Sequence, residues 1–151
     1  AVDEWRPGPP GSSSTTTQHV PWLLRGIALT AWSSIPSITD AVGVGTYTTT
    51  ARLPAAWNRR DGAYLDLGAV AGAFRVTVNG RRIGPVDQLD TRLDVGRLLH
   101  AGANRIEVRV ATPLLNRLRT TRPADFGARA KQDYGLLGPA RLVPYAETTI
   151  G

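Results

Sequence analysis

The feature that most constrains the fold is a series of short segments in which apolar and polar residues alternate. The segment 104–112, "NRIEVRVAT", places Ile106, Val108 and Val110 on one side of an extended chain and charged residues on the other. The segment 74–84, "FRVTVNGRRIG", alternates in the same way and contains Asn-Gly, a pair that tolerates positive φ at both turn positions. Because a period of two is the period of a strand, these segments predict β-strands and a hairpin.

Similar segments recur along the chain, separated by turn signals at intervals of about 8–12 residues, which favours an antiparallel sandwich or barrel. The predicted strands are "LRGIALTAW" (24–32), "GTYTTTARL" (45–53), "AYLDLGAV" (63–70), the hairpin "FRVTVNGRRIGPV" (74–86), "TRLDV" (91–95), "NRIEVRVAT" (104–112) and "ARLVPY" (140–145). Single helical turns are predicted near 97–99 and within 111–121. The irregular stretch 111–138 is long for a compact β domain, and such loops often carry function.

The chain of 151 residues predicts one domain, at 21–151, preceded by a connector. Residues 1–20 include "RPGPPGSSSTTTQH", whose Pro, Gly and Ser/Thr content does not favour packing, although Trp5 could dock back onto the domain. The sequence contains no Met, not even at position 1, so we expect a piece of a longer protein. No apolar run has the length of a membrane span, and we expect no membrane partner.

The net charge of +6 raises the question of nucleic acid. Seventeen of the eighteen basic residues are Arg, and the segment 105–141 contains eight basic residues against three acids. However, no basic run exceeds two residues and no strand carries aromatic residues that would stack bases. The composition therefore favours solvated arginines on outer strand faces, and we expect no nucleic-acid partner.

Catalytic and metal-binding patterns are absent from the sequence. The chain has no Cys, no Gly-x-Ser-x-Gly motif, and two His, His19 and His100, without metal-ligand spacing. Asp66 and Asp94 lie on predicted outer strand faces, where solvated acids are the default, and no carboxylate pair is marked for glycoside hydrolysis. We expect no catalytic residue and no cofactor. A structural calcium ion needs 6–8 oxygen ligands, and no acidic cluster supports one.

A sugar site is the binding function that the irregular stretches favour, because sugars stack on aromatic rings and their hydroxyls form hydrogen bonds with planar polar side chains. The candidate ligand-binding residues are Trp32, Asp87, Gln88, Asn116, Arg117 and Tyr134. Trp32 or Tyr134 would stack on the ring, and the other four would bond its hydroxyls. The alternatives are structural: Trp32 in the core, Asn116 bonding loop backbone, and Tyr134 pinning the long loop through its hydroxyl.

The order of five motifs resembles a known module. These motifs are "GVGTY", "LDLG", "VTVNG", the run "DVGRLLHAGANRIEVRV" and "GLLGP", with "NRL" at 116–118. Together they resemble the galactose-binding-like β-sandwich domain of glycoside hydrolases over residues 22–145. The resemblance is strongest to the module of family 106 α-L-rhamnosidases and more distant to the sugar-binding domain of family 2 β-glycosidases.

The resemblance implies an all-β jelly-roll sandwich of two antiparallel sheets over 21–151. It also implies a non-catalytic accessory module of a secreted glycoside hydrolase, with carbohydrate or the catalytic domain of the same parent chain as its partner. One alternative is a purely structural module that braces the catalytic domain through the Arg-rich 105–141 face and has no ligand of its own. Nucleic-acid binding is a further alternative, and it predicts salt-dependent retention on DNA.

Overall fold

The alternating segments form the strands of antiparallel sheets in the structure, a computed structural model that describes residues 4–7, 24–25, 28–58 and 61–146, with the backbone alone at 4–7, 24–25, 61 and 146. The strands are β1 (Glu4–Pro7), β2 (Leu24–Arg25), β3 (Val44–Leu53), β4 (Asp61–Asp66), β5 (Ala69–Ala71), β6 (Ala73–Val78), β7 (Arg81–Arg82), β8 (Arg92–Asp94), β9 (Gly102–Ala111), β10 (Gly135–Gly138) and β11 (Arg141–Ala146). The helices are α1 (Leu115–Thr121) and α2 (Pro123–Phe126), with 3₁₀ turns at Trp32–Ser34 and Gly96–Leu98.

The largest sheet has six strands in the order β2-β1-β3-β9-β6-β7. Its central pair, β3 and β9, is antiparallel over the whole of both strands, from Val44 opposite Ala111 to Leu53 opposite Gly102. A three-stranded sheet, β11-β4-β8, and a two-stranded sheet, β10-β5, complete the described strands. The predicted all-β sandwich of antiparallel sheets is confirmed, and where the prediction had two sheets the described strands form three.

The core contains the inward residues that the alternation predicted. One cluster joins Tyr47 of β3 and the apolar residues of β6 and β9 to Ala63 and Leu65 of β4 and Leu93 of β8. The intervening residues, such as Arg75 and Arg109, are exposed. Burial of one face of each sheet is the main stabilising contribution to a sandwich of this kind, and it sets the register of every strand.

The hairpin between β6 and β7 is built as predicted. Asn79 has φ 51° and Gly80 has φ 78°, so both central residues of the turn have positive φ. This conformation follows the right-handed twist of the flanking strands and needs residues such as Asn and Gly. The turn points to one end of the sandwich, beside the start of β9.

The predicted strand 24–32 is wrong over its second half. Leu24–Arg25 pairs with β1, but Ala28–Ala31 lies in no strand and Trp32–Ser34 is a 3₁₀ turn. The backbone N–H of Trp32 donates to the carbonyl of Tyr134 at 2.9 Å, so the chain is held by the long loop rather than by a sheet ladder.

Part of the predicted connector lies in the large sheet. The backbone of Glu4–Pro7 pairs with Gly45–Thr48 of β3 as strand β1. The remainder of 1–20 and the side chain of Trp5 lie outside the described residues, so the boundary at residue 20 and the docking of Trp5 stay predictions. No helix in the described part of the chain combines the length and apolar character that crossing a membrane requires.

Candidate binding site

An open cleft lies at the end of the large sheet where β3 and β6 end and β9 begins. Its volume is about 630 Å³, within the range of roughly 300–1,000 Å³ that ligand pockets occupy. We call it the end cleft, and its lining residues are Trp57, Asn58, Asn79, Arg81 and the segment Gly96–Ala101.

Two asparagine side chains hold the wall of the end cleft in place. Asn79 Nδ2 donates to the Leu98 carbonyl at 2.9 Å and to Asn104 Oδ1 at 2.8 Å. Asn104 is fully buried, and its Nδ2 donates to the carbonyls of His100 at 2.7 Å and Gly102 at 3.0 Å. Its Oδ1 also accepts from the His100 N–H at 3.0 Å. Because these bonds join the hairpin turn to the loop before β9, the cleft is preformed.

The side chains around the end cleft combine an aromatic ring with planar donors. Trp57 is half-buried, while Arg81, Arg97 and His100 are exposed. His100 Nδ1 lies 2.8 Å from the Ala101 carbonyl, which orients the imidazole. A ring face beside guanidinium groups can take the apolar face of a pyranose while bonding its hydroxyls.

The sequence-based reasoning missed Trp57 as a candidate. The residue follows β3 in "LPAAWNRR", where Pro54 begins a turn and Asn and Arg follow the aromatic ring. The same mixture of an aromatic residue with amide and guanidinium groups marked the other loops as candidates. The sequence signal for Trp57 was therefore the same as the signal for the predicted candidates.

Two predicted stacking residues, Trp32 and Tyr134, are buried in the core. Trp32 is 1% exposed, and its Nε1 donates to the Tyr47 hydroxyl at 2.7 Å. That hydroxyl also accepts from the Leu136 N–H at 2.9 Å. Tyr134 is 2% exposed, and its hydroxyl donates to Gln132 Oε1 at 3.1 Å. Stacking needs an open ring face, and neither ring has one here, so the structural alternative fits both residues better.

Asn116 joins α1 to the strand-like segment before β10. Its Nδ2 donates to the Gln132 carbonyl at 2.7 Å and its Oδ1 accepts from the Gln132 N–H at 2.9 Å. The side chain is 1% exposed, so both ends of the amide are used inside the protein. Arg117, the next residue, is exposed on the same helix. Of the predicted residues at this end, Arg117 alone has a side chain open to a ligand.

Asp87 and Gln88 lie in the loop that follows β7. Gln88 Oε1 accepts from the Phe74 N–H at 2.7 Å and its Nε2 donates to the Phe74 carbonyl at 3.2 Å, as a neighbouring strand would. Asp87 Oδ1 accepts from the Leu89 N–H at 2.9 Å. The described hydrogen bonds of Asp87 and Gln88 stay within their own loop and reach β6, and none joins them to the other predicted residues.

The acidic side chains of the strands hold turns. Asp66 Oδ1 accepts from the Gly68 N–H at 2.9 Å. Asp94 Oδ1 accepts from the Gly96 N–H at 3.0 Å, and its Oδ2 accepts from the Tyr145 hydroxyl at 2.8 Å. Within the described residues no three His, Cys, Asp or Glu side chains meet in a way that would hold a metal ion.

The structure is similar to parts of solved glycoside hydrolases. A rhamnosidase from Novosphingobium sp. PP1Y matches 95% of this chain at 25% identity with a TM-score of 0.74. A β-D-glucuronidase from Dictyoglomus thermophilum matches 74% at 22% identity with a TM-score of 0.50. A β-glucuronidase from Ruminococcus gnavus matches 74% at 17% identity with a TM-score of 0.52.

The chain has the fold of a β-sandwich module of glycoside hydrolases. The resemblance predicted from the motifs is thereby confirmed, and the two glucuronidases support the fold alone. The module spans 14% of the rhamnosidase chain and 18% and 20% of the two glucuronidase chains. No protein-family model matches the sequence, and no curated protein matches it significantly.

Proposed function

We propose that this chain is a non-catalytic, carbohydrate-binding module of a larger, secreted glycoside hydrolase of the rhamnosidase kind. The observation that carries the proposal is the match of nearly the whole chain to a small part of a rhamnosidase. A fold alone does not establish an activity, so the binding function has to rest on a site.

The end cleft supplies that site. Trp57 lies beside Arg81 and Arg97, and the Asn79–Asn104 network fixes the surrounding backbone. A preformed cleft loses little conformational entropy on binding, which favours a weak ligand such as a neutral saccharide. The ligand class that we propose is a plant or microbial polysaccharide containing rhamnose or galactose.

Hydrolysis is assigned to another part of the parent chain. A glycosidase needs two carboxyl groups that flank the bond to be cleaved. Asp66 and Asp94 instead accept hydrogen bonds from the turns that follow their strands. This use of the two strand carboxylates in turns agrees with a module whose parent chain has its hydrolytic site elsewhere.

The test is binding of the purified chain to immobilised rhamnose- and galactose-containing polysaccharides, followed by calorimetry on the positives. Trp57→Ala should weaken binding at least about fivefold, since aromatic stacking contributes on the order of 1–3 kcal/mol, and Trp57→Phe should retain most of the affinity. Arg97→Gln should weaken binding, whereas Arg52→Gln, an exposed arginine on β3, should not.

A second pair of variants separates the end cleft from the loop site predicted at Asn116 and Arg117. Arg117→Ala should leave the affinity unchanged if the end cleft binds the sugar. Loss of binding with Arg117→Ala, together with full binding by Trp57→Ala, would move the site to α1. A folded protein that binds none of the polysaccharides would remove the carbohydrate-binding function.

A brace for the catalytic domain is the second candidate, and exposed apolar residues favour it. Leu89 is 94% exposed and Leu114 is 56% exposed, both outside the sheets. A contact with the remainder of the parent chain would remove these leucine side chains from water, which is favourable. The test is a titration of this chain with the separately produced remainder of its parent. Leu114→Ser should weaken that association if the brace exists and should leave sugar binding unchanged.

A further inference from the structure

A second concave surface lies on the outer face of the six-stranded sheet. Its volume is about 540 Å³, and three guanidinium-bearing side chains line it: Arg75 on β6, Arg82 on β7 and Arg109 on β9. The loop 83–88 forms one wall. We call this surface the arginine groove, and its other lining residues are Val44, Ala73, Phe74, Ile83, Gly84, Pro85, Val86, Gln88 and Ala111.

The arginines are placed at an energetic cost. Arg75 and Arg109 are direct cross-strand partners, and Arg82 is paired with Thr77 one position further along the same face. Like charges directly opposite each other destabilise a sheet. The described residues give none of these three side chains a hydrogen bond or an ion pair. The one ion pair among the described residues is between Lys131 and Asp40, elsewhere in the fold.

The acid nearest in register does not neutralise the arginines. Glu107 lies two residues before Arg109 on β9 and is opposite Thr77. A diagonal cross-strand neighbour is close enough for a long side chain to contact it. Within the described chain, however, Glu107 forms no ion pair with Arg75, Arg82 or Arg109. The groove therefore keeps an excess of positive charge.

The rest of the groove is small, apolar and fixed. Ala73 and Ala111 are cross-strand partners in the row next to Arg75 and Arg109. The side chains beside the guanidinium groups are therefore small and leave room for a ligand. The wall is attached to β6 at two points. Ile83 N–H donates to the Val76 carbonyl at 3.0 Å, and the Gln88 amide bonds the backbone of Phe74. The concavity thus exists before any ligand arrives.

We propose that the arginine groove binds a saccharide that carries a carboxylate, such as a uronic-acid residue of an acidic polysaccharide. The inference rests on the proposed function in so far as that function makes saccharides the ligand class. The planar guanidinium group matches a carboxylate with two parallel hydrogen bonds. The apolar wall at Ile83, Pro85 and Val86 takes the carbon face of the sugar ring.

The shape of the groove favours a small acidic ligand over a macromolecule. Its volume falls in the range of about 300–1,000 Å³ that ligand pockets occupy, whereas protein interfaces bury roughly 800 Å² per partner. Nucleic acid would need a longer positive track and exposed rings for stacking. The one aromatic residue that lines the groove, Phe74, is buried.

The experiment compares tetragalacturonate with its fully methyl-esterified form, because esterification removes the charge and keeps the sugar. Titration calorimetry with the whole chain should detect binding of tetragalacturonate and no binding of its methyl ester. The double variant Arg75→Gln/Arg109→Gln should weaken that binding at least about tenfold, since each charge-assisted bond contributes substantially. The matched control is Arg52→Gln/Arg105→Gln, which removes the same charge from exposed positions on β3 and β9 outside the groove.

A thermal melt distinguishes loss of the site from loss of the fold. Because the two arginines repel each other, the groove double variant should melt at the same or a higher temperature than the native chain. If the double variant binds weakly because it is unfolded or strongly destabilised, the single variant Arg109→Gln is measured in its place. That single change should still weaken the acid's binding several-fold, and retained affinity in a folded Arg109→Gln protein would overturn the proposal.

Other results overturn the proposal in distinct ways. Equal binding of the ester, equal loss in the control double variant, or equal competition by inorganic phosphate would each remove carboxylate recognition by the groove. Binding of neutral polysaccharide through the end cleft, with no binding of tetragalacturonate, would remove the groove proposal and leave the proposed function standing. If the native chain does not bind the uronate, and the groove variant no longer associates with the remainder of the parent chain, then the groove is a protein contact and not a saccharide site.

Discussion

The two ends of the six-stranded sheet use the same residue types for different purposes. At the end where β9 begins, Asn79 and Asn104 bond to each other and to the loop backbone, and the surface beside them stays open as the end cleft. At the end where β9 stops, Asn116 bonds Gln132, and the rings of Trp32 and Tyr134 are buried in the core cluster.

A polar or aromatic residue in a loop is therefore not by itself evidence of a binding surface. Both ends contain buried amides that satisfy backbone groups, because buried polar groups must be hydrogen-bonded. The end cleft is lined by one half-buried ring, Trp57, and by the exposed Arg81 and Arg97, whereas the rings predicted to stack at the other end are buried. The comparison predicts that variants at the two ends separate stability from binding.

The largest expected effect is at Asn104. Asn104→Ala removes a side chain that makes four described hydrogen bonds, including one from Asn79 and two with the His100 backbone. The free energy of unfolding should fall by about 3 kcal/mol, measured by urea denaturation. Arg105→Ala, the exposed neighbour, should change it by less than about 0.5 kcal/mol. A loss below about 1 kcal/mol for Asn104→Ala would show that the network does not hold the cleft.

A smaller loss is expected at the opposite end from Asn116→Ala. This change removes the two bonds to Gln132 and should lower the free energy of unfolding by about 2 kcal/mol. Affinity for polysaccharide should be unchanged under conditions where the variant is folded. Arg117→Ala, adjacent and exposed, is the control and should alter neither quantity. If affinity fell while the fold was intact, the contrast between the two ends would be wrong.

The smallest effect is expected at the hairpin turn beside the end cleft. An added Cβ would meet no atom within 4 Å at either Gly80 or Gly84, but only Gly80 has positive φ, at +78°. Gly80→Ala should therefore cost about 1 kcal/mol of unfolding free energy through backbone strain alone. Gly84→Ala should be neutral or slightly stabilising, because Ala restricts the unfolded chain. Equal effects would mean that the turn conformation does not contribute.

Alternation and turn chemistry made most of the sheet predictable. The inward residues of β3, β4, β6, β8 and β9 are those that the period of two placed on the buried face, because a strand can bury only one side of its pleat. The turn at Asn79 was predictable for a similar reason, since few residues adopt positive φ. The segment 24–32 failed because its apolar content is equally compatible with a loop that packs on the core.

The candidate site was much less predictable. Trp32, Asn116 and Tyr134 were chosen for their chemistry. Their burial depends on contacts with residues distant in the chain, such as Trp32 with Tyr47 and Asn116 with Gln132, which local sequence does not contain. Gln88 was expected to bond a sugar but pairs with the Phe74 backbone instead. Cross-strand register, which places Arg75 opposite Arg109, likewise emerges only when the strands are aligned.

Local sequence was sufficient for the class of the fold, the core positions on the strands and the hairpin turn, because these follow from side-chain periodicity and backbone sterics within a few residues. Tertiary structure alone decided which loop residues are open to a ligand and which arginines share a groove. Those properties depend on contacts between residues far apart in the chain, such as Asn79 with Asn104 and Asn116 with Gln132. The free energy of burying or exposing a group is set by that three-dimensional neighbourhood.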